Sequence, residues 1–223
     1  MKRWLAACAL GVVLAAQAAP SDDLVIAVEM NDPRAVLSLL LKGIDPNQPD
    51  ARGRKAVFVA AQEQSLKALD SLLAAPQLKV DEPNAQGETP LMIAALKGSL
   101  PAVQALVKRG AAINRDGWTP LHYACSGPDN GVAAWLISQG AALNARSENG
   151  TTPLMMAARY GNADLVPLLI KAGAEPRAAN EQELTAADFA QRGGRDALAK
   201  ELRRISQERQ ERQRAADAAK SGR

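Results

Sequence analysis

Apolar and polar positions along this chain form short helical patterns that return in the same order at a nearly constant interval. In the clearest copies, a Thr-Pro-Leu triplet opens an alanine-rich apolar stretch, a glycine follows, and a second stretch with helical spacing comes next. These triplets begin at Thr89, Thr119 and Thr152. Self-similarity with a period between about 20 and about 50 residues indicates a stacked solenoid, in which each unit contacts its neighbours and no single compact core forms.

Weaker copies extend the register in both directions. The same interval leads from Thr152 forward to Thr185, from Thr89 back to Lys55, and from Lys55 back to Asp22. The anchors of the register are residues 22, 55, 89, 119, 152 and 185. We therefore predict six units, each made of two short helices.

Local chemistry explains the two helices of a unit. A threonine hydroxyl at the N-cap accepts a hydrogen bond from an orphan amide, which contributes about 1 kcal/mol. Proline at the first helical position has no backbone N–H, but an N–H at that position would have no partner within the helix. Gly98 and Gly161 are predicted to end first helices. The glycines predicted to end second helices are Gly43, Gly110, Gly140 and Gly173. The polar stretch before the next anchor predicts a hairpin-like turn.

This pattern resembles the ankyrin repeat over about residues 22–205, and the motif is most specific in units three to five. The resemblance implies an all-α solenoid of about six helix-turn-helix units with short finger turns and a C-terminal charged helix. The end units depart from the motif, since Asp22 and Lys55 replace the threonine and Asp188 stands where the family often has histidine. Tetratricopeptide repeats have a similar period and are the alternative, but their aromatic pattern is not matched.

The N-terminal segment differs from the repeats. A basic start at residues 1–3 precedes an apolar run over 4–16, and Ala16-Gln17-Ala18 fits a small-x-small cleavage rule. This order is typical of a secretory signal peptide covering residues 1–19. An ankyrin-like stack that follows a simple signal peptide suggests a periplasmic protein. Two alternatives stay open. One is an uncleaved anchor, for which the run is short, and the other is lipidation at Cys8, which has little apolar sequence ahead of it.

The predicted organisation is therefore a signal peptide at 1–19, a repeat domain at 20–205 and a charged tail at 206–223. The net charge of +3 is uneven, since eight basic and four acidic residues lie from Lys200 to Arg223. The tail has no aromatic residue to stack on a base and no apolar stripe to lie in a bilayer. We expect a solvated capping helix that binds neither nucleic acid nor membrane.

Catalytic groups are scarce in this sequence. His122 is the only histidine, and the resemblance implies a structural role for it in its turn. Cys125 aligns with buried alanines of other units and is expected to be a small core residue. No phosphate-binding loop, nucleophile elbow or metalloprotease helix occurs. We predict a protein that is not an enzyme, with no catalytic residue, no cofactor and no metal site.

In ankyrin stacks the finger tips and the exposed side of the first helices form a concave surface that holds partners. The corresponding positions here precede each anchor by one residue or follow it by seven or eight. Three side chains at these positions are of the types enriched at interaction hot spots, namely Trp118, Arg159 and Tyr160. Trp135 instead falls at a packed position of a second helix and is expected in the core.

The finger of the third unit is short. Gly110 to Thr119 spans nine residues, whereas the corresponding stretches of three other units span twelve. We expect a notch in the row of finger tips, with Trp118 at its base and Arg115 and Asp116 beside it.

Two function classes follow from these observations. The first is a monomeric binding module that holds another protein on the concave face through Trp118, Tyr160, Arg159, Arg115 and Asp116, as an accessory or inhibitor of a periplasmic or secreted enzyme. The alternative is an enzyme or small-molecule receptor with a pocket on that face. Such a pocket needs convergent polar groups, which a repeat face does not readily form.

Overall fold

The computed structural model describes residues 20–221, and all regular structure in that range is helical. The helices are α1 (Pro20–Glu29), α2 (Pro33–Leu41), α3 (Ala56–Glu63), α4 (Leu66–Leu73), α5 (Pro90–Leu96), α6 (Leu100–Lys108), α7 (Pro120–Ala124), α8 (Asn130–Ser138), α9 (Pro153–Tyr160), α10 (Leu165–Ala172), α11 (Ala186–Arg192) and α12 (Asp196–Ser221). They pair in chain order into six units. The prediction of an all-α solenoid of six helix-turn-helix units is confirmed, and the predicted signal peptide lies outside the described residues.

The N-caps of the first helices follow the predicted register from the second unit onward. Lys55, Thr89, Thr119, Thr152 and Thr185 are the N-cap residues of α3, α5, α7, α9 and α11. Proline follows the cap at the first position of α5, α7 and α9. Its missing N–H leaves no hydrogen bond unmade there.

The third residue of each threonine-capped helix completes a reciprocal capping box, with chemistry that changes along the stack. The backbone N–H of Thr89 donates to the sulfur of Met92 at 3.4 Å, and Met155 plays the same part in the fifth unit. In the fourth unit the acceptor is Nδ1 of His122, 3.1 Å from the Thr119 nitrogen. In the sixth unit it is the carboxylate of Asp188. A thioether, an imidazole or a carboxylate therefore accepts the hydrogen bond of the equivalent N-cap amide in different units.

The first unit departs from the predicted register. Helix α1 begins at Pro20, so the first anchor, Asp22, lies inside its first turn and is not an N-cap. Its carboxylate accepts a hydrogen bond from the backbone N–H of Ala51 at 2.7 Å. Asp22 therefore joins the first unit to the finger that precedes the second.

The four glycines predicted to end second helices all have positive φ, between 86° and 111°. The prediction for first helices holds only in part. Gly98 follows the cap residue Lys97 and has φ of 71°. Gly161 caps α9 with φ of −70°, so close packing and not a left-handed backbone requires glycine there. A Cβ on Gly161 would lie 2.8 Å from the Ala157 oxygen and 3.0 Å from the Cys125 oxygen.

Small residues allow successive first helices to approach closely. Helix α5 packs against α7, and α7 packs against α9. Leucines such as Leu121 and Leu154 fill the space beneath them and are 0% and 1% exposed. The core is therefore one continuous apolar layer along the stack. The fifth and sixth residues after the anchors of the second to fifth units are small and fully buried: Ala60, Ala61, Ala94, Ala95, Ala124, Cys125, Ala157 and Ala158.

Polar side chains at the base of each finger join neighbouring units. Asn47, Asp81, Asn114 and Asn144 each accept a hydrogen bond from a backbone N–H of the following unit, at 2.8 to 3.0 Å. Because the fingers form no sheet in residues 20–221, these side chains satisfy backbone groups that a sheet would otherwise pair.

Arginines complete helix C-termini that lack a capping glycine or lie near the end of the stack. Pro76 stands where other units have glycine, and the Arg109 guanidinium donates to the carbonyl oxygens of Leu73, Ala75 and Pro76. The Arg209 guanidinium donates to the carbonyl oxygens of Ala174 and Ile170 in the same way.

The C-terminal helix is charged and leaves the stack. Helix α12 runs without a break across the predicted boundary at residue 205. Its residues from 211 onward are exposed wherever the burial of the side chain is described. Within residues 20–221, no helix combines the length and the apolar character needed to cross a membrane.

Core leucines should dominate stability. Leu121→Ala or Leu154→Ala is expected to lower the free energy of unfolding by about 2 to 5 kcal/mol, because each leaves a cavity in a packed layer. Leu41→Ala is the control, because Leu41 is 88% exposed. Its loss should cost less than about 0.5 kcal/mol. Urea denaturation measures all three. A loss below about 1 kcal/mol at both core positions would show that the assigned register is wrong.

Candidate functional site

One groove runs along the first helices of the stack, between the ends of these helices and the fingers. The helix-end edge consists of the seventh and eighth residues after each anchor. The finger edge consists of the finger tips and the residue before each anchor. Three pockets among the described residues lie in this groove and share these positions. The groove floor is the fourth residue after each anchor, which is apolar in every unit: Ile26, Val59, Ile93, Tyr123, Met156 and Phe189.

The central pocket, here called the tryptophan pocket, is the most apolar part of the groove. It encloses about 240 Å³. The half-buried ring of Trp118 meets His122 edge to face, with ring centroids 5.2 Å apart, and meets Tyr123 at 6.3 Å in the same manner. These contacts fix the indole as one wall of the pocket. The lining residues are Leu96, Trp118, His122, Tyr123, Ser126 and Met156.

The polar side chains that line this pocket bond mainly to other atoms of the protein. The Tyr123 hydroxyl donates to Glu88 at 3.0 Å, and the Ser126 hydroxyl donates to the His122 carbonyl oxygen at 3.2 Å. The indole N–H of Trp118, by contrast, donates to no atom within the described range. The pocket therefore offers a mainly apolar surface.

His122 holds the floor of the pocket in place from below. Its ring is fully buried. Nδ1 accepts from the backbone N–H and the hydroxyl of Thr119, at 3.1 and 2.9 Å. Nε2 lies 3.0 Å from the Thr151 oxygen. A carbonyl oxygen can only accept, so the ring is neutral with its proton on Nε2. Burial lowers the pKa of His122 below its ordinary value of 6.5.

Tyr123 is also held neutral. Burial, followed by the hydrogen bond to the Glu88 carboxylate, raises the pKa of the Tyr123 hydroxyl. Glu88 in turn accepts from the side-chain amide of Asn84 at 2.8 Å through its other oxygen. This chain of bonds ties the groove floor to the finger edge.

The groove becomes polar toward the N-terminal end of the stack. The pocket of about 390 Å³ in the second and third units is lined by Arg54, Glu63 and Glu88 among other residues. Arg54 forms ion pairs with Glu29 and Asp50. Hydrogen bonds from the backbone and side chain of Arg54 lower the pKa of Asp50, although burial opposes them as the largest single effect. Arg54, Glu29 and Asp50 thus form one cluster of paired charges in this part of the groove.

The predicted partner-binding residues lie in two places. Trp118 lines the tryptophan pocket, whereas Tyr160 and Arg159 lie outside it at the helix-end edge. Tyr160 is 54% exposed, and the Arg159 guanidinium lies 5.1 Å from its ring centroid. The structure brings Arg159 and Tyr160 into contact with each other and not with Trp118. The cation–π contact holds the guanidinium over the face of the ring.

Arg115 and Asp116 lie in the short finger, and both are exposed. Arg115 donates to the carbonyl oxygen of Gly87 in the preceding finger at 2.8 Å. Other fingers are closed by a backbone hydrogen bond between residues four positions apart, as between Asn84 and Glu88. No such bond closes residues 111–118, all of which are described.

Two pocket residues were missed by the reasoning from sequence. Tyr123 and Met156 occupy the fourth position after the anchor, which was not counted with the exposed positions. That position carries an apolar residue in all six units, and its side chain is only half-buried in the last three. A periodic apolar position was therefore the available signal, although it does not by itself distinguish a groove floor from a core.

Trp135 and Cys125 were both expected in the core. Trp135 is half-buried and packs against the core on α8. Cys125 is fully buried, which raises the pKa of its thiol. In residues 20–221, no group of three or more His, Cys, Asp or Glu side chains could hold a metal ion.

The architecture is that of a helical repeat protein with an open groove. Models of the ankyrin repeat, in blocks of three copies, match residues 24–115, 76–147, 103–180 and 128–210. The chain therefore belongs to the ankyrin repeat family, whose members are generally protein–protein interaction modules.

Individual relatives match parts of the chain. It is 30% identical over 107 residues to an ankyrin repeat protein of Rickettsia felis, a match that covers 36% of this chain and 40% of that protein. It is 50% identical over 54 residues to human protein phosphatase 1 regulatory subunit 27, which covers 23% of this chain and 35% of that protein. The matches thus span less than half the length of these relatives.

One solved structure is similar over most of the chain. The ankyrin repeat domain of Bcl-3, a member of the IkappaB protein family, superposes with a TM-score of 0.69 at 28% identity and covers 81% of each chain.

His122 should make stability depend on pH. Its folded pKa is lowered below 6.5, so the unfolded chain binds the proton more readily. Its contribution to stability is therefore complete well above pH 6.5 and decreases as the pH falls below that value. His122→Met is the matched variant, because methionine fills this position in the third and fifth units.

Urea unfolding at neutral and at mildly acidic pH measures the effect. The natural protein should lose more stability between the two conditions than His122→Met does. Equal losses would contradict a neutral, buried imidazole.

Proposed function

We propose that this chain is an exported protein-binding module that holds a partner protein in the groove, with the tryptophan pocket as the main contact. The single observation that carries the proposal is an apolar pocket whose polar side chains bond mainly within the protein. Such a pocket gains little from a polar small molecule, since few groups remain to orient it. An apolar side chain of another protein matches it better.

The size of the pocket supports a side chain as occupant. The tryptophan pocket encloses about 240 Å³. Small-molecule sites typically enclose more than about 300 Å³. The groove continues on both sides of the pocket, so a chain segment can extend along the floor. Trp118 and Tyr160 are of the residue types that contribute most to interface energies.

The groove residues also argue against the alternative of an enzyme. His122 uses both ring nitrogens in structural hydrogen bonds. Cys125 is fully buried, and its thiol is held protonated. Neither side chain is therefore available as a base or a nucleophile in this conformation.

We further propose that the module acts in the periplasm, as a monomer, as an accessory or inhibitor of a periplasmic or secreted enzyme. Export is supported by the basic start, apolar run and small residues of positions 1–19. A regulatory role is supported by the similarity to a protein named as a regulatory subunit of a phosphatase.

Partner binding should depend on Trp118. The mature protein is used to capture partners from periplasmic extract, and affinity for the purified partner is measured by calorimetry. Trp118→Ala is expected to cost about 2 kcal/mol or more, which is about a 30-fold loss of affinity. Leu41→Ala, on an exposed helix end outside the groove, is the control and should bind normally.

Two results would contradict this assignment. Binding that survives Trp118→Ala combined with Tyr160→Ala would place the interface elsewhere. A melting temperature that collapses with Trp118→Ala alone would show that the ring belongs to the core, since the ring already contacts His122 and Tyr123.

Export should remove the segment that ends at Ala18 or Ala19, because small residues lie at the expected cleavage point. Mass spectrometry of the protein recovered from the periplasm measures the new N-terminus. An intact Met1 would mean that the segment is retained. A lipid on Cys8 would mean that the protein is anchored to a membrane.

A further inference from the structure

The two edges of the groove differ in charge from the third unit onward. The helix-end edge carries three cations, Lys97, Arg159 and Arg192, and no carboxylate at the seventh or eighth position of these units. None of the three forms an ion pair or a side-chain hydrogen bond with any residue from 20 to 221. Their charges are therefore not neutralised by the described protein.

Helix position explains how the free protein tolerates these cations. Arg159 and Arg192 lie in the last turns of α9 and α11. The helix dipole favours positive charge at that end of a helix. This stabilisation uses no N–H donor of the guanidinium groups. The donors stay available to a partner.

The finger edge has the opposite character. Two of its three cations are used within the protein, since Arg115 donates to the Gly87 oxygen and Arg146 donates to the Ala179 oxygen at 2.7 Å. The third, Arg177, is exposed, but the carboxylates of this edge outnumber its cations. Most finger carboxylates of these units, by contrast, form no ion pair among residues 20–221, and the exception is Glu175, which lies 4.0 Å from the Arg209 guanidinium. The exposed members of this set are Asp116, Glu148, Glu181 and Glu183.

The cations stand beside the apolar floor. Arg159 follows Met156 by three residues on α9, and Arg192 follows Phe189 by three residues on α11. Residues at this spacing share one helix face. Met156 lines the tryptophan pocket. A segment seated on this floor would therefore have the unpaired Arg159 and Arg192 along its helix-end side.

We infer that the occupant of the groove is an acidic protein segment, with an aromatic or long aliphatic side chain in the tryptophan pocket and Asp or Glu residues facing Arg159 and Arg192. The inference rests on the proposed function and adds the chemistry of the partner. Carboxylates form bidentate hydrogen bonds with guanidinium groups, and such bonds strengthen where water is excluded. The finger carboxylates repel the same acidic side chains, so the segment binds in one orientation across the groove.

The probe for this inference is a displayed library of random peptides, selected against the purified natural protein. Enriched peptides should combine an aromatic, Leu or Met residue with Asp or Glu. One of them is then synthesised with its acidic residues unchanged or replaced by Lys. The acidic form should bind at least tenfold more tightly, and the difference should shrink as salt is raised because exposed charges are screened.

Paired variants locate the charges. Arg159→Glu with Arg192→Glu should weaken the acidic peptide at least tenfold and favour the Lys form. Arg212→Glu with Arg214→Glu makes the same change of net charge on α12, away from the groove, and should leave binding within about twofold, since distant surface charges are screened. All of these positions except the half-buried Arg159 are exposed. Circular dichroism checks that each variant is folded.

The outcomes separate the inference from the proposed function. The inference is overturned if the peptides need Trp118 but show no acidic preference. It is also overturned if they bind the Arg159→Glu, Arg192→Glu protein as well as the natural protein. Either result leaves the groove as the binding site. Peptides insensitive to Trp118→Ala overturn the proposed function together with the inference. A selection that enriches no peptide also counts against an acidic segment as the occupant.

Discussion

The close approach of successive first helices is the constraint on which the rest of this structure depends. Fully buried alanines lie between these helices. Glycines lie where the helix ends meet, and a Cβ on Gly127 would lie 2.8 Å from the Leu96 oxygen, as would one on Gly193 from the Arg159 oxygen. Larger residues would separate the units and open the core layer beneath them. The same spacing brings the fourth residue of each first helix next to its neighbour, which makes the groove floor continuous.

The finger edge is built differently, from side-chain hydrogen bonds to the backbone. The side-chain oxygens of Asn47, Asn114 and Asn144 accept hydrogen bonds from backbone N–H groups of the next unit. A finger is therefore fixed by its neighbour as much as by its own turn. This explains why one finger can be three residues shorter without loss of the stack. The tie through Asn114 is kept, while the bond that closes the turn in other fingers is absent from residues 111–118. Arg115 replaces it with a bond to the preceding finger.

Local chemistry was predictable from the sequence, and long-range partners were not. Threonine caps and left-handed glycines act within one turn of helix, so their spacing alone located the starts of most first helices and the ends of most second helices. Arg109 shows the limit of such prediction. Its guanidinium bonds to carbonyl oxygens more than thirty residues earlier in the chain, and these bonds compensate for Pro76, which stands where other units have a capping glycine. Trp118 was predicted at the groove from its register. Its neighbours Tyr123 and Met156 were not, because an apolar residue at a helix position is equally typical of a core.

The histidine beneath the tryptophan pocket connects stability with recognition. Removal of water from His122 would be costly if either nitrogen were unpaired. Both are bonded, one to Thr119 at the start of its helix and one to Thr151, which directly precedes the anchor of the next unit. The ring is therefore held in a single orientation, and Trp118 and Tyr123 rest against a fixed support. A pocket that is already shaped before binding loses little conformational entropy when a side chain enters it. The repeat motif that specifies the fold thus also fixes the shape of the groove at its centre, whereas the polar N-terminal end is held by the ion pairs of Arg54 with Glu29 and Asp50.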